Sequence, residues 1–484
     1  MCSGSNELPG FSRVLLGNFK LLGCPFGDPD YCALHTRSRA AKATGLLSQV
    51  TSLSEPQAAI QLIRQCAGFS KLTYSARTVP PQLHAEALLD FESEMRSALS
   101  AVVGTQVEGR SWTQAQLSLR QGGLGLRCVA MHAPAAFVAS VLSARDLCAR
   151  IDPSFSLEDV GGHLGLQGAW SLLRNRVSPE ANVDIHEQSP TQKYLSGLVD
   201  AQHLTTLKAA TATDLSFQAH LSLVGQATAG AWLTALPVDD GRAIEGDLFR
   251  VAIKRRLRVP MQEEDGFCPL CGQGMDRFGD HALTCQCRGD RTGRHNCIRN
   301  VGCEEAILAG AQPEREKAGL LPARPQEDGI LGPPSSRRPA DIFLPRGETG
   351  APVALDFAVT SGLRQDWLRA VVAHPNHVFE EYEAFKRSYQ DTEGICQSAG
   401  FRFLPMVMKA HGGSWSPAAQ KAWDWLAKNQ RASWSDGYEP TSLRIAQRLS
   451  CSLHRENARA ILRRQVIPST DLCADAWAFD GCWQ

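Results

Sequence analysis

Four residues near the middle of the chain have the types and spacing of a metal chelate. Cys268 and Cys271 form a Cys-x-x-Cys turn, His281 follows after nine intervening residues, and Cys285 after three more. Two thiolates on one tight turn, with an imidazole and a thiolate from a short following element, can supply the tetrahedral N/S set that zinc takes. Alone, the first pair reads equally as a redox motif or as buried thiols, and Cys287 can stand in for Cys285 as fourth ligand. A second constellation is acidic. Asp356 lies within an apolar run, on the side otherwise lined by Ala354 and Ala358, where an ionised carboxylate is costly unless it meets a cation or a paired donor. Asp341 is its candidate partner. Together they offer the hard oxygen ligands that Mg²⁺ or Mn²⁺ needs for phosphodiester hydrolysis; a turn cap at Asp341 and an arginine partner for Asp356 are the plainer alternative. Such chemistry also needs a fixed positive charge, for which Lys386 is the candidate and Lys409 the rival. Glu305, seven residues after Ile298 and so on the same inward side of a helix, is a possible third metal acid. Arg288, Arg291, Arg294 and Arg299 follow the cysteines, in a segment that can become a helix over 292–309. They read as a phosphate-contacting face or as an ordinary solvated helix surface.

The elements that must position these groups are legible in outline. Val353, Leu355, Phe357 and Val359 alternate with Ala354, Asp356, Ala358 and Thr360, which predicts a strand. The turn chemistry of Arg346 to Gly350 makes 341–344 and 353–359 a hairpin that brings the two acids together. Val378, Tyr382, Phe385 and Tyr389 form a stripe at helical spacing, with Phe379, Glu383 and Lys386 on the adjoining face. Residues 401–408 read as a further strand. Upstream, Ser38 to Cys66 has the apolar pattern of two packed helices broken around Ser54 to Pro56; Leu83 to Val102 is another helix, stopped by Gly104. A glycine-rich loop, Gln121 to Gly125, precedes a helix from about Pro134. Between Ala311 and Pro345 lie seven of the chain's 26 prolines, a long irregular connection.

The 484 residues carry 50 Lys and Arg against 50 Asp and Glu, so no whole-chain field attracts a polyanion. Any nucleic-acid partner must be held locally, and Arg250 to Asn300 supplies ten basic against six acidic residues. At 43% hydrophobic the chain is ordinary globular protein, with length for about three domains. Six of the sixteen cysteines crowd between Cys268 and Cys303, which suits a reducing compartment, nucleus or cytoplasm, better than secretion. No run of about eighteen apolar residues occurs, so no membrane partner is expected.

At this point the residues resemble a family. Cys268-x2-Cys271, Gly279-Asp280-His281-Ala282-Leu283-x-Cys285, Gly289-Asp290-Arg291 and Arg294-His295-Asn296, followed by Arg338-Pro339-Ala340-Asp341-Ile342 and Ala354-Leu355-Asp356, resemble the C-terminal part of non-LTR retrotransposon proteins with a restriction-like endonuclease. In that family a CCHC zinc knuckle precedes a PD-(D/E)xK nuclease that nicks target DNA to prime reverse transcription. The resemblance puts the metal acids on Asp341 and Asp356. It places the missing strand lysine on the next helix, where Lys386 stands. Leu21 to Gly27 and Trp112 to Arg127 are similar to the palm end and thumb of the same elements' reverse transcriptases, but the aromatic-x-Asp-Asp polymerase turn is absent, so no polymerisation is expected. The resemblance implies an α+β multidomain protein: a mainly helical, thumb-like region 1–150, a helical linker 151–260, the zinc knuckle 261–290, an α/β restriction-like nuclease with a mixed sheet over 291–415, and a helical tail 416–484. The expected function is metal-dependent nicking of DNA, with element RNA a possible second partner. The alternative is an inactive nucleic-acid-binding remnant.

Overall fold

The computed structural model describes residues 17–157, 165–181, 190–321, 339–430 and 439–465. They fall into two compact units, one of residues 17–53, 59–118 and 124–210, the other of residues 54–58, 119–123 and 211 onward. The interval expected as a linker, 151–260, thus divides at Ala210 between the two. Among the described residues no helix is long and apolar enough to cross a membrane.

The first unit is helical apart from a hairpin of β1 (Phe19–Leu21) and β2 (Cys24–Phe26). Helix α1 (Pro29–Thr51) starts on Asp28, whose side chain accepts from the Tyr31 N–H, and a separate helix, Pro56–Leu62, follows the expected break. Helix α2 (Ala85–Val103) ends where Gly104 takes a left-handed φ of 74°. Helix α3 (Val129–Ile151) begins a turn before Pro134, earlier than the sequence suggests. Proline has no N–H for the carbonyl four residues back. Here Arg176 supplies the missing donor, its Nη1 lying 2.5 Å from the Ala130 oxygen. Helix α4 (Gln192–Ala210) closes this core, with Leu195 and Val199 against Val138 and Leu142 of α3.

The second unit holds every residue singled out for chemistry. Its principal elements are α5 (Gly246–Arg256), the short strands β3 (Gly266–Phe267) and β4 (Gly274–Met275), α6 (Asp280–Thr284), α7 (Asp290–Leu308), β5 (Glu314–Arg315), β6 (Ile342–Leu344), β7 (Val353–Thr360), α8 (His377–Ser388), β8 (Arg402–Lys409), α9 (Pro417–Asn429) and α10 (Thr441–Leu462). The sheet runs β5-β6-β7-β8, antiparallel except for the parallel β7–β8 pair, and is therefore mixed, as expected. Of the proline-rich interval, residues 322–338 lie outside the described residues; β5 precedes them.

The alternation in β7 sorts as the sequence implies. Val353, Leu355 and Phe357 enter a core with Ile298 and Ala306 of α7, Trp423 and Leu426 of α9, and Leu449 and Leu453 of α10. Ala354 instead joins Phe343, Cys396 and Phe403. Helices α9 and α10 are thus part of the core on the sheet, where a separate tail from residue 416 was expected. Their apolar faces bury one side of the sheet, and a sheet left open there would expose Leu355, Phe357 and Met406. Helix α7 comes close because Gly302 has no side chain: a Cβ there would stand 2.8 Å from the Phe357 ring.

Candidate metal centre and carboxylate site

The knuckle is built locally. Cys268 lies just past β3, its N–H bonded to the Gln273 carbonyl, and the Gly272 N–H returns to the Cys268 carbonyl to close the turn. Asp276 caps the next element, accepting from the N–H groups of Phe278, Asp280 and His281, so α6 starts with His281 facing the thiols. The ligand atoms of Cys268, Cys271, His281 and Cys285 all lie within 4.8 Å of one another. That is a Cys₃His set of the kind that holds a tetrahedral metal such as zinc, and it takes Cys285 rather than Cys287. Burial pushes the Cys285 thiol up, but hydrogen bonds from Arg464 and the Cys287 backbone outweigh it and bring the thiol to about 6. A thiolate is the form a metal takes.

The acidic site is assembled from three segments. The Asp341 N–H bonds to the Leu355 carbonyl, and continuing the β6–β7 register by one residue sets Asp341 opposite Asp356. Like charges directly across a ladder repel, so the pair needs a cation. Lys386 reaches in from α8, its Nζ 2.8 Å from Asp356 Oδ2. From α7, His295 places Nε2 3.1 Å from Asp341 Oδ1, while Asp341 Oδ2 accepts the Phe357 N–H at 2.6 Å. Burial raises the Asp356 carboxyl above its ordinary value; the Lys386 charge opposes this and the Asp341 charge adds to it. Burial lowers the Lys386 ammonium, and the Asp356 charge more than restores it. Each carboxylate keeps lone pairs that a divalent cation can take. His295 entered the sequence reading only within a motif. Its spacing was informative, because it lies one helical step before Ile298, which is buried.

Three expected residues have other duties. Glu305 does turn inward with Ile298, but ten residues beyond His295 on α7, about 15 Å along the helix axis. Its fully buried carboxylate is held by Arg444 at 2.9 and 3.1 Å, by Arg448, and by Gln430 at 2.8 Å. A carboxylate so enclosed has no place for a metal, and Glu305 is a structural anchor for α10. Arg294 is buried, donating to Asn457 and to the Leu283 carbonyl, and so cannot meet a phosphate. Arg299 is engaged by Glu316. Arg288 and Arg291 are exposed, Arg288 in a turn before the helix rather than on it. The local basic excess is partly internal as well: Arg255, Arg256 and Arg258 are buried, Arg256 donating to the carbonyls of Leu119, Gly123 and Ala229.

Lys409, the rival to Lys386, shares the Asp356 side of the sheet but points elsewhere. Its ammonium meets Gln226 Oε1, the Pro375 carbonyl at 2.7 Å and the Phe379 ring at 3.8 Å. Burial brings it down to about 7. The geometry therefore favours Lys386. No family model matches this chain, and no curated protein is matched by it at a meaningful level of similarity.

Proposed function

We propose that the second unit is a metal-dependent DNA endonuclease that nicks its target, and that the chain derives from the C-terminal part of a non-LTR retrotransposon protein, which its motifs resemble. One observation carries the reading: Asp341, Asp356 and Lys386, distant in sequence, converge on one side of the sheet, with two acids facing each other and one ammonium between them and solvent-facing helix α8. Asp341 and Asp356 would hold Mg²⁺ or Mn²⁺. When bound, the metal supplies a Lewis acid and a readily ionised water. His295 and the Phe357 N–H fix the two oxygens of Asp341. The Lys386 charge opposes the burial that disfavours ionised Asp356, and its ammonium stabilises the charge that develops on the phosphoryl oxygens. The zinc knuckle and the exposed Arg288 and Arg291 would position the duplex through its phosphates.

The test is nicking of supercoiled plasmid with Mg²⁺ or Mn²⁺, the intact protein beside Asp356→Ala. Nicking lost in the variant supports the assignment, and equal nicking by both removes it. The second reading is a catalytically inactive DNA- or RNA-binding remnant, held by the cluster of Cys268, Cys271, His281 and Cys285 and by the exposed arginines without the chemistry. Salt-sensitive binding with no cleavage at any pH would select it.

A further inference from the structure

Helix α8 carries more than Lys386. Tyr382 and Phe385, with Tyr389 just past the helix end, continue the stripe that begins at Val378, and such a stripe is ordinarily a buried face. Only its first member behaves so. Val378 is fully buried, whereas Phe385 and Tyr389 are 54% and 53% exposed. The rings form a stepped row, with centroids 6.0 Å apart from Tyr382 to Phe385 and 5.5 Å from Phe385 to Tyr389. The row adjoins the carboxylate site: Tyr382 is one helical turn before Lys386 and near enough to favour its ammonium, and Tyr389 is one turn after it. The acids of this helix each have a neighbouring base, an imidazole for two of them, which offsets their charge only when protonated. Glu380 faces His374 at 2.8 Å, Glu381 faces His377 at 4.0 Å, and Arg387 lies between Glu383 and Glu393.

We infer that this aromatic row is a stacking platform for unpaired bases, so that the DNA taken by the carboxylate site is single-stranded or locally opened at the cut. The inference rests on the nuclease reading and names its substrate class. Bases inside a continuous duplex already stack on one another, and their faces are closed to a protein ring. Bases of a single strand offer theirs, and adjacent exposed rings hold them with little regard to sequence. A strand laid along Tyr389, Phe385 and Tyr382 brings its phosphates to Lys386, whose ammonium is directed at Asp356. An apolar protein partner is the competing occupant. It would want a broad hydrophobic patch, and the row is narrow, flanked by charged side chains of the same helix.

The experiment compares the affinity of a labelled 20-nucleotide single strand with that of the same sequence as blunt duplex, in EDTA so that nothing is cut. Phe385→Ala/Tyr389→Ala should weaken single-strand binding by at least about fivefold for each ring removed. Duplex binding should fall by distinctly less, and the difference should persist as salt rises, because stacking releases no counterions. Phe385→Trp/Tyr389→Trp keeps the planar faces and should keep the single-strand preference, with circular dichroism reporting the fold of both variants. Equal weakening of both forms, no weakening, or a change only in the sedimentation of the protein alone would overturn the inference. The assay needs no cleavage, so nicking that does not depend on Asp356 removes the nuclease reading without touching this result. Conversely, nicking that survives alongside an inert aromatic row removes only this inference.

Discussion

Two carboxylate sites of the second unit, at Glu305 and at Asp341 with Asp356, are compensated in different ways. Around Glu305 positive charge matches the acids: Arg444 and Arg448 close on it with the neutral Gln430 amide, and Arg448 also reaches Glu304 at 2.5 Å. At Asp341 and Asp356 it is in deficit. Two acids stand across a ladder with one ammonium and one imidazole, and burial leaves Asp356 shifted towards its neutral form. Burial alone therefore does not mark a functional acid. The informative quantity is whether the protein completes the neutralisation itself or leaves part of it to something that binds.

Substitutions should separate the two regions by size. Glu305→Gln leaves the Arg444 guanidinium without its acid and Arg448 with Glu304 alone, and should cost about 3–5 kcal/mol in chemical denaturation. Asp356→Asn relieves repulsion from Asp341 while weakening only the Lys386 contact, so its stability should change by no more than about 1 kcal/mol. Equal losses from both variants would erase the distinction between anchor and site. Next in size is the response to metal. At a hundredfold excess over its dissociation constant, Mg²⁺ should stabilise the intact protein by about 2.7 kcal/mol, seen as a rise in Tm. Asp356→Asn should lose that rise and Glu304→Gln should keep it; an undiminished rise in Asp356→Asn would place the cation elsewhere.

The contrast also explains which features were legible in the sequence. Cys268, Cys271, His281 and Cys285 lie in one short segment, so spacing alone reports the geometry of their cluster. The hairpin was readable because β7 alternates strictly and because Gly347 to Ala351 closes its turn with a 2.8 Å backbone bond, which fixes Asp341 opposite Asp356. The partners of Glu305 were not readable. Arg444 and Arg448 come from 139 and 143 residues away, and no local periodicity carries that pairing. Arg294 is a different case. It stands four residues before the buried Ile298, so its inward direction was present in the pattern, but a basic residue invited a surface reading. Pro134 in α3 likewise depends on Arg176, a tertiary donor that propensity cannot anticipate.

Lys409 extends the comparison to a buried cation with no carboxylate on its ammonium. Its folded value of about 7 lies below the ordinary 10.5, with burial as the main cause. Between those two values the unfolded chain carries a proton that the folded chain does not. Stability should therefore rise with pH from about 7 to 10.5 and be insensitive to this group below 7. Lys409→Met should flatten that rise in denaturation series taken across the window. An unchanged slope would mean that the acceptors Gln226 and Pro375 hold the ammonium charged throughout.

The smallest effect concerns the arginines, where the same division between enclosed and open charge recurs on one helix. Removing one side chain that pairs with a phosphate should reduce the slope of log affinity against log salt by about 0.9 on duplex DNA. Arg291→Ala, at an exposed position near the start of α7, should show that reduction and weaken all sequences alike. Arg299→Ala should leave the slope where it was, because Glu316 already engages that guanidinium. If the Arg299 variant lowers the slope as much as the Arg291 variant does, the internal ion pair opens for DNA, and pairing within the fold ceases to be a guide to which charges a nucleic acid can use.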